Sequence, residues 1–186
     1  MSFAYLQYCK TFFDNPNNHT QENYLKAVKK YGESLKYVNN QTNEICLEAV
    51  KQSGQSLKYV DNQTNEICLE AVKQNGWSLK YVQNQTPEIC IEAVKHNGYI
   101  LKHVQNQTDE ICLEAVKQNG WSLKYVQNQT PKLCYYAIEQ NPNAIIYITI
   151  DKDLVNNYIE NDNIINDLSN EYTIELDENG LFEICI

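Results

Sequence analysis

Apolar residues fall along this chain in short clusters that return on a fixed step. Set in register, residues 42–63, 64–85, 86–107 and 108–129 share the pattern T-x-E-I-C-L/I-E-A-V-K-Q/H-S/N-G-x-S/I-L-K-Y/H-V-x-N-Q. Cys46, Cys68, Cys90, Cys112 and Cys134 therefore recur every 22 residues, as do Gly32, Gly54, Gly76, Gly98 and Gly120. Two flanking copies are degenerate. Residues 20–41 keep Leu25, Ala27, Val28, Gly32 and Leu35, while 130–151 keep Thr130, Leu133, Cys134 and Ala137 but carry Asn141-Pro142 in place of the Gly. End units of stacked arrays diverge in this way because one of their faces meets water instead of a neighbour.

Each unit predicts two short helices. Thr86 is a good N-cap, Pro87 suits the first helical position, and Glu88 favours the positive end of the helix dipole. Ile89, Cys90, Ala93 and Val94, widened by Ile91, form a stripe at helical spacing, and a left-handed Gly98 is expected to end the helix. Helix A then covers 87–97. Helix B, about Tyr99–Gln105, places Leu101 and Val104 on one face, with Asn106 as a left-handed terminator. A leucine-rich repeat of similar period needs a strand with period-two alternation, which T-x-E-I-C-L-E-A-V-K does not supply. Helices this short are marginal alone, so each unit must bury its stripe against its neighbours. The expected fold is all-α, an α-solenoid of about six two-helix repeats over 20–151.

The ends differ from the repeats. In 1–19, Phe3, Leu6, Cys9 and Phe13 mark an N-terminal cap. After Asn143–Thr149, taken as the last helix B, residues 152–186 form an acidic C-terminal cap, with a polar helix expected over Leu154–Ile165. Beyond it, 172–186 predicts a β-hairpin whose three-residue loop, Glu178-Asn179-Gly180, pairs Leu176 with Phe182, Ile174 with Ile184 and Tyr172 with Ile186. That register gathers all six on one face, which must dock on the end of the array or pair with a second chain.

Charge sharpens this division. The formal net charge is −9, from 15 Lys, no Arg and 24 acidic residues. Thr20–Asp151 is nearly neutral, with 13 Lys against 14 acids, whereas the tail sets Lys152 against nine. The overall sign disfavours nucleic-acid phosphates and anionic membranes as partners. No apolar stretch reaches the roughly 18 residues that span a bilayer, and Met1–Lys10 shows no secretory signal. A soluble, intracellular protein is expected.

The segment Glu66-Ile67-Cys68-Leu69-Glu70-Ala71-Val72-Lys73-Gln74-Asn75-Gly76-Trp77-Ser78-Leu79-Lys80-Tyr81-Val82 resembles the short helical repeats of a domain-of-unknown-function family abundant in giant viruses of amoebae and also seen in some bacteria and protists. The likeness covers about residues 20–150. It implies a repeat protein, viral in origin, with no catalytic residues to carry over. The bias toward Asn, Ile, Tyr and Lys agrees with an AT-rich coding genome.

Candidate chemistry is thin. Equivalent cysteines of stacked units should lie roughly 8 to 10 Å apart, too far for a disulfide or a shared zinc, so the ladder is read as buried reduced thiols. Cys9 and Cys185 stand outside it. No phosphate loop, H-E-x-x-H, G-x-S-x-G or C-x-x-C is present, and His19, His96 and His103 lack a site spacing. The glutamates at i, i+4 in each helix A describe a solvated face softened by Lys51, Lys73, Lys95 and Lys117. The N-x-T sequences are expected to cap helices and carry no sugar. No enzyme, cofactor or metal is indicated.

Variation inside the fixed frame marks the candidate site. The residue after the Gly runs Glu33, Gln55, Trp77, Tyr99, Trp121, and four further on stand Tyr37, Tyr59, Tyr81, His103, Tyr125. At 100° per residue Trp77 and Tyr81 share a side facing away from Leu79 and Val82. Trp77, Tyr81, Tyr99, His103, Trp121 and Tyr125, bordered by Lys80, Lys102 and Lys124, then form a partner-binding patch; the competing packing buries these rings between units. A protein partner, host or viral, is the expectation. Single-stranded RNA read by one aromatic and one Lys per unit is the alternative, and a virion assembly component self-associating through the hairpin a third.

Overall fold

A threonine, an alanine, a glycine and a glutamine at fixed places in each repeat account for most of the backbone geometry. The structure, a computed structural model, describes residues 3–161, 173–176 and 182–185. Its α-helices are α1 (Phe3–Phe13), α2 (Gln21–Lys30), α3 (Asn43–Gln52), α4 (Asn65–Gln74), α5 (Pro87–His96), α6 (Asp109–Gln118), α7 (Pro131–Gln140) and α8 (Lys152–Asn161). Each of α2 to α7 is followed by a six-residue 3-10 helix: Gly32–Tyr37, Gly54–Tyr59, Gly76–Tyr81, Gly98–His103, Gly120–Tyr125 and Pro142–Tyr147. This is an all-α repeat architecture.

Helix A forms as the sequence predicts. Thr42 Oγ1 accepts a hydrogen bond from the Ile45 amide at 3.3 Å, and Thr64, Thr108 and Thr130 repeat the cap. Ile45, Cys46, Ala49 and Val50 of α3, and the corresponding residues of α4, α5 and α6, are buried. The α5 helix ends at His96, one residue before the expected limit.

Helix B corrects the expectation in three ways. It is a 3-10 helix, Gly98–His103, not an α-like segment to Gln105. With only six residues, tight i to i+3 bonds close it fastest, as in Ser78 N–H to Asn75 O at 2.8 Å and Val82 N–H to Leu79 O at 3.0 Å. Second, it ends on an extended valine, Val82 at φ −72° and ψ 120°, and not through a left-handed Asn. Third, Gly54 and its equivalents Gly32, Gly98 and Gly120 do not take the left-handed conformation; each opens a 3-10 helix after an extended cap residue such as Ser53 at φ −152°. Close approach demands the Gly instead. A Cβ on Gly54 would collide with the carbonyl oxygen of Ala71 in the next repeat and lie 2.7 Å from Ser78 Oγ.

The described residues fall into two contact units, one running to His96 and including His103–Gln105, the other comprising Asn97–Lys102 and everything from Asn106. In the first, α2, α3, α4 and α5 pack successively, and the 3-10 helices Gly32–Tyr37, Gly54–Tyr59 and Gly76–Tyr81 form a parallel second row. The α1 helix lies against its first repeat: Tyr8 meets Tyr31 at 5.3 Å, Phe13 meets Tyr37 at 5.1 Å, and Cys9 is buried with its Sγ 3.8 Å from Ser34 Oγ. In the second unit, α6, α7 and α8 pack in order, with Gly120–Tyr125 beside Pro142–Tyr147.

The tail helix begins at Lys152, two residues before the expected Leu154, because the Asp151 carboxylate accepts the Asp153 amide at 3.0 Å. Val155 and Tyr158 turn it onto α7, Tyr158 meeting Tyr135 at 6.1 Å. Residues 162–165, within the expected helix, lie outside the described residues. Thr173–Leu176 and Phe182–Cys185 pair antiparallel, Ile174 with Ile184 and Leu176 with Phe182. The intervening loop and the Tyr172 and Ile186 pair lie outside the described residues.

Candidate interaction surface

Five glutamines tie each repeat to the next. Gln63, which precedes the cap of α4, donates its Nε2 to Tyr81 O at 2.9 Å, and its Oε1 accepts the Gln83 amide at 3.0 Å and the Cys68 thiol at 3.5 Å. Gln41, Gln85, Gln107 and Gln129 make the same set, reaching Tyr59, His103, Tyr125 and Tyr147 carbonyls at 2.7 to 2.9 Å. The ladder cysteines are thus buried thiol donors, and burial pushes Cys46, Cys68, Cys90, Cys112 and Cys134 up to about 11. A thiol so protonated is a poor nucleophile or metal ligand, and no group of three or more potential metal ligands occurs among the described residues.

A second amide set works on the other side of the repeat. Gln52 and Gln74 accept the Gly32 and Gly54 amides, each at 2.6 Å; Gln118 and Gln140 do the same for Gly98 and Gly120. At position 96 a His stands where these glutamines do.

Within each contact unit these bonds fix the 3-10 helices, and the 3-10 helices present the aromatic positions. At three residues per turn, Trp77 and Tyr81 are about 120° apart, so the single α-like stripe expected from 100° per residue does not form. The rings associate across repeats instead. Trp77 packs edge-on against His103 at 5.8 Å, Tyr99 against Tyr125 at 6.0 Å, and Trp121 against Tyr147 at 5.6 Å. Tyr81 is covered by its neighbour, Lys80 Nζ standing 4.8 Å from the ring centre. Lys124 Nζ lies 4.8 Å from Tyr125, 5.2 Å from Tyr99 and 5.9 Å from Tyr147. A hydrogen bond to Tyr125, more than neighbouring charge, raises the Lys124 ammonium above its ordinary range.

Trp77, Tyr81, Tyr99, His103, Trp121 and Tyr125 are all half-buried. The structure therefore sits between the two packings weighed from sequence: rings contact each other across repeats while part of each remains at the surface. Two members were missed. Tyr147 takes the place 22 residues after Tyr125, and Ile146, 68% exposed, replaces the lysine of the other repeats. Both were readable by extending the repeat frame through 130–151.

The opposite, α-helical face carries the acid pairs as solvated positions, with Lys51 3.5 Å from Glu48 and Lys73 3.5 Å from Glu70. Among the described residues no helix is long and apolar enough to cross a membrane.

Repeated α and 3-10 helices, locked by amide side chains and presenting half-buried aromatic rings, define a helical-repeat protein. More particularly, the chain belongs to the family described as domain of unknown function DUF4116, whose model matches residues 21–64, 44–85, 64–107 and 86–129. Each match spans about two of the 22-residue units. No curated protein and no solved structure matches the chain.

Proposed function

We propose that this chain is a non-enzymatic repeat scaffold that holds a protein partner through the aromatic positions of its 3-10 helices. The observation that carries this reading is the half-exposure of Trp77, Tyr81, Tyr99, His103, Trp121 and Tyr125 on the 3-10 helices. The constant Thr, Cys, Gln and Gly positions are taken up by caps and bonds between repeats, which leaves the variable positions, and the lysines beside them, for an outside partner. Aromatic rings held rigid by edge-on packing, with lysines beside them, supply large contact area at small entropic cost, the composition of binding hot spots. The protonated, glutamine-bound thiols favour a structural over a catalytic role for the one chemically reactive residue type repeated in the core.

RNA is the weaker reading. The rings engage one another across repeats, where a stacked base would need an open face, and the chain carries nine net negative charges. An intracellular, viral setting goes with the scaffold reading, supported by the Lys-rich, Arg-free composition. The strand pair near the C-terminus is read as a hairpin closing the acidic tail.

Affinity capture compares the wild-type chain with a Trp77→Ala, Trp121→Ala double variant as bait. A partner retained by wild type and lost by the variant is the expected result. A partner held equally by both moves the site off the aromatic row.

A further inference from the structure

We propose that Lys124 and the rings around it form a docking point for a carboxylate of an acidic partner peptide, and that Glu33 already fills the equivalent point at Lys58. This inference rests on the scaffold reading and names the partner's chemistry.

The repeat frame shows why. Two lysines, Lys58 and Lys124, reach back toward the residue that follows the Gly of the preceding repeat. In the first unit that residue is Glu33, whose Oε1 lies 3.2 Å from Lys58 Nζ, while the same ammonium sits 4.7 Å from the Tyr59 ring centre. Lys58 thus has a ring beneath it and a carboxylate beside it. Lys124 keeps the ring arrangement and has more of it, standing over Tyr125, Tyr99 and Tyr147, yet the residue in the place of Glu33 is Tyr99. Among the described residues no carboxylate lies within 4.0 Å of Lys124. Its ammonium is held by ring faces and by Tyr125, neutral groups that fix its position without neutralising its charge. A carboxylate entering from solvent makes there the ion pair that Glu33 makes internally.

The surroundings select what carries that carboxylate. Trp121, paired with Tyr147, and the exposed Ile146 flank the point with apolar surface, which suits an acidic residue next to an aromatic or aliphatic one. The internal precedent at Lys58, a carboxylate beside a ring-held ammonium, favours a carboxylate over a phosphate; the net charge of the chain opposes polyanions of either kind at longer range, which suits a single carboxylate set among apolar residues.

The test uses the full chain with Trp77→Phe, so that Trp121 is the sole tryptophan and its fluorescence reports on the site. The probes are a short peptide containing glutamates and a phenylalanine, its glutamine counterpart, and oligouridylate. The glutamate peptide is expected to give a saturable change that weakens with salt. Lys124→Gln should raise its Kd about fivefold, the upper range for one exposed ion pair, and Tyr99→Glu, which supplies an internal carboxylate, should abolish binding. Glu33→Gln releases Lys58 and should increase the number of peptides bound. Equal binding of the glutamine peptide, indifference to Lys124→Gln, or preferential binding of oligouridylate overturns the proposal. If captured partners depend on Trp121 but not on Lys124, the acidic-peptide inference falls and the scaffold reading stands.

Discussion

Replacing Gln63 by Leu is the sharpest test of how the repeats are held together. The substitution keeps roughly the same volume but removes a donor to Tyr81 O at 2.9 Å and an acceptor for the Gln83 amide at 3.0 Å, together with a weak bond from the Cys68 thiol. Two backbone groups of the following repeat then lose their partner. A lost hydrogen bond costs about 1 kcal/mol net, and an orphaned buried group about 1 to 3. Because Gln63 is only half-buried, water recovers part of this, and about 2 kcal/mol is the expected loss. For a chain of this size that lowers Tm by about 4 to 8 °C. Urea and thermal unfolding, followed by far-UV circular dichroism, measure it, with Gln83→Leu as control: that side chain is exposed and should cost under about 0.5 kcal/mol. Since repeat arrays unfold by parts, the midpoint of the main transition is the quantity compared. If Gln63→Leu is within about 0.5 kcal/mol of wild type, the glutamines are ornamental and the repeats are held by apolar contact alone.

Other consequences follow from the same packing. Ser56, Ser78 and Ser122 bury hydroxyls without a hydrogen-bond partner, whereas Ile100 and Ala144 take that place in other repeats and are also fully buried; Ser78→Ala should therefore stabilise the fold by about 1 kcal/mol, and a destabilisation of that size in urea refutes the orphaned-hydroxyl reading. The five ladder thiols, raised by burial from 9.0 to about 11, are protonated in the fold and ionise more readily once unfolded, so their contribution to stability is full below pH 9 and is lost as pH rises from 9 to 11. Thiol titration with a chromogenic disulfide should be slow in the native chain at pH 8 and fast in urea, and rapid native labelling of five thiols contradicts the burial. Gly54→Ala should destabilise by about 1 to 3 kcal/mol, as overpacking does, because the carbonyl of Ala71 cannot move aside; unchanged stability would show that the repeats slide apart freely.

How much of this was legible in the sequence depends on which residues carry the information. The period, the Thr caps and the Ile, Cys, Ala, Val stripe were, because a helix start and an amphipathic stripe are local features. Helix B was not: six residues with Leu101 and Val104 three apart fit an α turn and a 3-10 turn equally, and only the packing of the next repeat selects the tighter one. The Gly was assigned its commonest local use, a left-handed cap, although its reason is a carbonyl 17 residues later, Ala71 against Gly54. The aromatic positions were found through their variation within a constant frame, but their pairing was not, since Trp77 meets His103 and not Tyr81. The glutamines carry the same visible signal as the cysteines, a strict recurrence at 41, 63, 85, 107 and 129, but their reason is a backbone carbonyl 18 residues on, which no local pattern shows.

The two kinds of position divide the labour of the repeat. Four of the recurring residues have a partner in an adjacent repeat or cap their own helix: Thr on an amide, Cys on Gln, Gln on two backbone groups, Gly under an alanine carbonyl. Altering any one of these disturbs a bond at a boundary, and the disturbance reappears at no other place in the array. The residue after the Gly escapes that constraint. It meets the lysine of the following repeat at Glu33 and Tyr99 and its ring at Trp77, Tyr99 and Trp121, and each of these side chains fits the same backbone. A chain built this way can change what it binds one repeat at a time, from a self-neutralised ion pair at Glu33 and Lys58 to a ring-held ammonium at Lys124, while the bonds that order the array stay as they are. That independence is itself measurable, because the stability effects of substitutions at Tyr99 and at Gln63, which share no partner, should add to within about 0.5 kcal/mol.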